Sequence, residues 1–240
     1  MVLNNPYSRR GFLSLLGAGT ASTLAGCASP GPAPGDTIIS YRDGGSVRRP
    51  SILSGGSAEL DQMYGTVVDG GFVIPAVPYQ QINPRYYRQR VVDPTGERPG
   101  TVVVDTPSRF LYLVEPGGSA MRYGVGIGRE GFAWSGDGVI QWRQKWPKWT
   151  PPNEMIARQP ELARFSADNG GMPPGLTNPL GARALYIFQN GKDTLYRLHG
   201  SPEWNSIGRA VSSGCVRLMN QDIIDLYDRV PQKARIVVWQ

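Results

Sequence analysis

The sequence predicts a mainly β fold, and three observations carry that reading. Glycine and proline are abundant, 31 and 21 of 240 residues, and both interrupt regular elements with turns. Between them recur short runs rich in β-branched and aromatic residues, such as Thr101-Val102-Val103-Val104-Asp105 and Ala184-Leu185-Tyr186-Ile187-Phe188, which is strand composition. Asn190-Gly191 stands between two such runs, a strong hairpin signal. The length suits one sizeable domain with extras. A hydrophobic fraction of 40 % excludes a wholly disordered chain. Two cysteines exclude a disulfide-dense scaffold, and one histidine excludes a multi-histidine metal site.

Residues 1–27 read as an address. Ser8-Arg9-Arg10-Gly11-Phe12-Leu13 resembles a twin-arginine export signal, and an acid-free run of small apolar residues follows it. That run is too short and too rich in Gly, Ala and Ser for a membrane span. Leu24-Ala25-Gly26-Cys27 then resembles a lipobox, whose cysteine is lipidated and becomes the new N-terminus. An ordinary secretory signal with an incidental cysteine is the alternative. On the lipoprotein reading Cys27 is the lipidation site, and the chain is exported to the periplasmic side and anchored in a lipid bilayer. Ala28 then favours the outer membrane. Loss of Arg9 and Arg10 lowers the formal charge of +6 by two, to +4.

Residues 28–60 read as a flexible Pro/Gly/Ser linker. Residues 61–100 form an N-terminal extension, either a surface segment packed on the main domain or a partly disordered linker. The main domain spans 101–240. Its first hairpin pairs 101–105 with 109–114 across a Thr-Pro-Ser turn. Further strands are expected at 121–127, 139–146, 184–188, 194–198 and 234–239. A helix is expected over 221–230, where Ile223, Ile224, Tyr227 and Val230 recur at helical spacing, with Asn220 as N-cap and Pro231 as the stop. A second short helix is expected from Asn153 to about Leu162, after Pro151-Pro152.

The chemistry gathers near the C-terminus. His199 is the sole histidine. With Cys27 lipidated, Cys215 is the one free thiol, a liability in an oxidising compartment that invites a functional explanation. A nearby imidazole that takes a thiol proton makes a good nucleophile. Small residues before Cys215 permit a sharp turn, so that backbone N–H groups around Gly214 and Cys215 face a developing oxyanion. Taken alone, the pair also fits a buried small hydrophobe and a capped surface histidine.

The wider pattern is more specific. Tyr196-Arg197-Leu198-His199-Gly200-Ser201, then Ser206-Ile207-Gly208, then Ser212-Ser213-Gly214-Cys215-Val216-Arg217-Leu218 resembles the signature of the L,D-transpeptidase catalytic domain (the YkuD-type family), over roughly 101–240. The resemblance implies a mixed β-sheet, sandwich or barrel-like domain with one or two short helices. It implies Cys215 as nucleophile, His199 as general acid/base and the Gly200 carbonyl as orienter of the imidazole. Ser213 and Gly214 form the oxyanion turn. Arg217 takes an active-site position, as a carboxylate ligand or as a structural partner of an acid such as Asp222. Ser213 departs from the pattern: the family commonly has a second histidine there, and the serine offers a hydroxyl in its place.

The resemblance further implies peptidoglycan stem peptides as substrates and acyl transfer from a tetrapeptide through a thioester. The acceptor is an amine, giving a 3–3 cross-link or attachment of an outer-membrane protein. Water as acceptor, making a carboxypeptidase or amidase, is one alternative, and a non-catalytic wall-binding lipoprotein is another. Trp146 and Tyr196 are further substrate-binding candidates. The segment 141–152 interleaves three Trp with three cations, either as a groove wall for glycan or stem peptide or as core Trp under a solvated basic face. The Gly/Pro-rich stretch 170–181 reads as a lid or rim, or as a plain connector. No phosphate loop or metal-ligand spacing is present, so no cofactor and no metal are expected. Scattered basic residues on an exported chain exclude nucleic acid as a partner.

Overall fold

Apolar residues at every second position bury one face of a strand, and that pattern builds one large sheet here. The computed structural model describes residues 53–128, 134–212 and 214–240. The predicted signal, Cys27 and most of the predicted linker lie outside the described residues. The described chain starts with helix α1 (Leu53–Met63), so the end of the span read as linker is helical. Strands β1 (Val67–Asp69) and β2 (Phe72–Ile74) form a small hairpin. β3 (Gln89–Val92), β4 (Val102–Asp105), β5 (Phe110–Glu115), β6 (Ser119–Gly124) and β7 (Ile127–Gly128) follow. Then come β8 (Gly136–Lys145), α2 (Asn153–Arg158), β9 (Arg183–Gln189), β10 (Lys192–Ser201), β11 (Ala210–Ser212), β12 (Val216–Met219), α3 (Asn220–Arg229) and β13 (Arg235–Trp239).

Nine strands make a mixed sheet in the order β12-β10-β9-β8-β13-β4-β5-β6-β3. Two of its pairings, β10 with β12 and β4 with β13, are parallel. β7 and β11 pair in a separate two-stranded sheet. The large sheet curls on itself: two backbone bonds between Gly126 and Arg217, 2.9 and 2.8 Å, join the chain after β6 to β12 at the far edge. The enclosed core draws Val102, Leu111, Tyr123, Ile140, Leu185, Leu198, Val216 and Ile236 from strands all along the sheet, with Ile223 and Leu226 of α3. The protein is thus mainly β and barrel-like, with short helices.

The β9–β10 hairpin turns on Asn190 (φ 51°) and Gly191 (φ 76°), the two positive φ angles of a type I′ turn. Helix α2 stops at Arg158, short of the expected 162, because Pro160 follows and a 3-10 turn takes over (Pro160–Phe165). Asn220 is not the N-cap of α3. Met219 holds that place, and the Asn220 side chain accepts from the Ala182 N–H at 2.9 Å. A buried loop donor without a strand partner needs an acceptor more than a helix end does.

The extension packs as part of the domain. Tyr64, Val77, Tyr79 and Ile82 share a buried cluster with Ile207 and Met219, and β3 pairs with β6.

Candidate active site

Strand β10 delivers His199, and the turn after β11 delivers Cys215. The register sets Leu198 opposite Val216 and His199 opposite Arg217. One step back, the Cys215 position falls opposite Arg197. Leu198, Val216 and Leu218 are fully buried in the core. Alternation therefore puts Arg197, His199, Arg217 and the Cys215 position together on the opposite face of two adjacent strands. Shared neighbours agree with this placement: the charges of Arg197 and Arg217 act on both the imidazole and the thiol.

His199 is buried, and its Nδ1 lies 2.7 Å from the Gly200 carbonyl oxygen. Burial pulls its pKa down to about 4; the Gly200 and Pro179 carbonyls oppose that shift and the two arginines reinforce it. The imidazole is neutral at pH 7. Burial also pushes the Cys215 thiol up, against the Arg197 backbone N–H directed at the sulfur and the charges of Arg197 and Arg217. At neutral pH the imidazole is therefore neutral and the thiol protonated.

Gly200 has a second role, since a Cβ there would collide with the Asn220 side chain. Gly214 has φ +135°, a backbone conformation that side-chain-bearing residues rarely adopt. The chain thus turns sharply into Cys215 through a glycine. The Tyr196 ring, half-buried against the core, lies beside it, 3.6 Å from where a Gly214 Cβ would stand. Ser213 lies outside the described residues.

Two expectations need correction. Arg217 does not pair with Asp222: its Nη1 donates to Glu203 Oε2 at 2.5 Å, because Arg217 points to the outer face while Asp222 is buried. Trp146 does not line an open groove. It is 9 % exposed, stacks on Phe72 at 4.2 Å and donates Nε1–H to Asp69 Oδ2 at 2.7 Å. A hairpin read only as part of the extension covers it.

The stretch 170–181 is anchored at its end. Asn178 is buried and donates to the carbonyls of Pro147 and Pro173, both at 3.0 Å, and Pro179 presents its carbonyl to His199. It forms an anchored rim beside His199. Arg197, Pro179 and Glu203 were absent from the sequence-derived site. Pro179 acts through its carbonyl and Arg197 partly through its peptide N–H, which residue type does not reveal. Among the described residues no cluster of three or more His, Cys, Asp and Glu is placed to hold a metal ion.

Residues 99–238 match the family model YkuD, L,D-transpeptidase catalytic domain. The chain is 33 % identical over 156 residues to the probable L,D-transpeptidase ErfK/SrfK of Escherichia coli, covering 62 % of this chain and 47 % of that protein. The chain thus spans about half the length of the curated relatives it matches. Among solved structures it is similar to one from Brucella melitensis, described as a probable carnitine operon oxidoreductase. That likeness is 44 % identical with a TM-score of 0.46, over 64 % of this chain and 94 % of the other. It is also similar to an L,D-transpeptidase from Mycobacterium smegmatis, 18 % identical with a TM-score of 0.41, over 58 % of each chain.

Proposed function

Because the chain belongs to the YkuD family of L,D-transpeptidase catalytic domains, we propose that it is a peptidoglycan L,D-transpeptidase with Cys215 as nucleophile and His199 as general acid/base. The Cys215 sulfur attacks the L-centre carbonyl of the third residue of a tetrapeptide stem as His199 takes the thiol proton. A C–S bond forms and the C–N bond to the terminal D-Ala breaks. D-Ala leaves with the proton returned by His199. An amine of a second stem, or of an outer-membrane protein, then attacks the thioester, gives its proton to His199 and frees the thiol.

The observation that carries this reading is the register of β10 and β12. It sets the sole imidazole and the thiol on one face, with the Gly200 carbonyl holding Nδ1. The N-terminal sequence supports action on the periplasmic side, anchored through Cys27.

Purified protein incubated with disaccharide-tetrapeptide tests it. Dimers with release of D-Ala are expected, and Cys215→Ala is expected to form none while keeping the wild-type circular dichroism spectrum. Monomeric tripeptides would assign water as acceptor. Undiminished dimer formation by Cys215→Ala would overturn the assignment.

A further inference from the structure

Cross-strand register lines up more than the catalytic pair. One residue before the Leu198–Val216 pair, the Cys215 position falls opposite Arg197 on β10, whose backbone N–H is directed at the sulfur. Arg197 faces Tyr186 on β9, and Tyr186 faces Trp142 on β8. These four positions form one row across four neighbouring strands. Leu198 and Leu185, next along their strands, are fully buried in the core, so Arg197 and Tyr186 point to the face that bears the catalytic pair. The side chains form a continuous ridge. The Arg197 guanidinium lies 4.4 Å from the Tyr186 ring centre, and the Tyr186 and Trp142 rings pack with centroids 5.3 Å apart.

The far end of the ridge is open. Trp142 is 59 % exposed, a large apolar surface left to solvent. Arg197 makes a two-pronged ion pair with Asp193, at 2.7 and 2.8 Å, so a carboxylate stands beside its charge. Gln144 accepts from the Tyr186 hydroxyl at 3.2 Å and brings a side-chain amide to the platform. An exposed aromatic surface of two rings tilted by 31°, with an ion-paired arginine and an amide beside it, suits the apolar C–H face and acetamido groups of an amino sugar. It suits a polyanion poorly.

Spacing agrees. Adjacent strands lie about 4.8 Å apart, so three strand steps put Trp142 about 14 Å from the Cys215 position. Extended chain spans about 3.5 Å per residue. The stem residues before the reacting carbonyl, with the lactyl ether, therefore reach about 10–14 Å back to the glycan.

We propose that Trp142 and Tyr186 form a glycan subsite that seats an N-acetylhexosamine of the strand bearing the donor stem. This inference rests on the transpeptidase reading above. The test compares kcat/KM for disaccharide-tetrapeptide and for the free tetrapeptide. Wild type is expected to prefer the disaccharide form. Trp142→Ala is expected to lower that preference about tenfold, and Trp142→Phe to retain most of it. An unchanged ratio in Trp142→Ala would overturn the subsite, and the ratio is insensitive to how much enzyme is folded. If wild type turns over neither substrate, the transpeptidase reading has failed and binding alone decides the subsite. The disaccharide titrated into 15N-tryptophan-labelled protein is then expected to shift the Trp142 indole resonance, assigned by its loss in Trp142→Phe. No shift at millimolar disaccharide would overturn the proposal.

Discussion

His199 is kept neutral by burial and by two nearby guanidinium groups, against the pull of two carbonyls. In the proposed role of general base, His199 works only when unprotonated. With its pKa near 4, the acid limb of kcat/KM is expected near pH 4, far below the range of an ordinary histidine. The Cys215 thiol is pushed up, so loss of its proton places no limb at neutral pH. The profile is therefore expected to rise with unit slope through about pH 4 and stay flat from about pH 5 to 8. Initial rates across that range, with circular dichroism at each pH, check it. A limb between pH 6 and 7 would show an imidazole open to water. That His199 and Cys215 lie near each other was legible in the sequence, because each is scarce and sits in a long motif. Arg197 and Pro179 were not, because the Arg197 peptide N–H and the Pro179 carbonyl reach the pair only through the fold, and the Arg197 charge comes near it only by strand register.

At the scale of elements, strand periodicity was readable wherever one face meets the core. The β4–β5 and β9–β10 hairpins fall at the expected places, since turn residues and β-branched runs determine them locally. Trp146 was not readable, because its burial depends on β1 and β2, three residues each, some seventy residues earlier in the chain. That hairpin is fastened by a polar contact. Arg183 is 2 % exposed and donates twice to Asp69, at 2.7 and 2.8 Å, while Trp146 donates to the same carboxylate. The Arg183 guanidinium holds the Asp69 carboxyl below its ordinary pKa. Removing one partner of a buried pair strands the other, at a cost of about 3–5 kcal/mol. Asp69 keeps some exposure, so Asp69→Ala is expected to lose about 3 kcal/mol, and Asp69→Asn less because it keeps an acceptor. Urea unfolding measures both. A loss under 1 kcal/mol for Asp69→Ala would mean that Arg183 finds water or another acceptor.

For the molecule as a whole, two buried groups tilt stability against pH in opposite directions. The His199 pKa falls to about 4 in the fold, from 6.5. Between those values the unfolded chain binds more protons, so stability rises with pH. Asp222 is fully buried on α3, and burial lifts its pKa to about 7, from 3.8, despite the Arg88 guanidinium 3.6 Å away. Between those values the folded chain binds more protons, so stability falls as pH rises. Each group contributes a slope of about 1.4 kcal/mol per pH unit, and from about pH 4 to 6.5 the two cancel. Asp69, Glu115 and Asp193 have lowered pKa values, and their contributions are lost mainly below about pH 4.5. Wild-type stability is therefore expected to be nearly level from pH 4.5 to 6.5. Asp222→Asn removes the falling component while keeping the side chain's size, so its stability is expected to climb by about 2 kcal/mol across that window. Urea midpoints at pH 4.5, 5.5 and 6.5 for both proteins decide it. Parallel curves would mean that Arg88 keeps Asp222 ionised in the folded protein throughout.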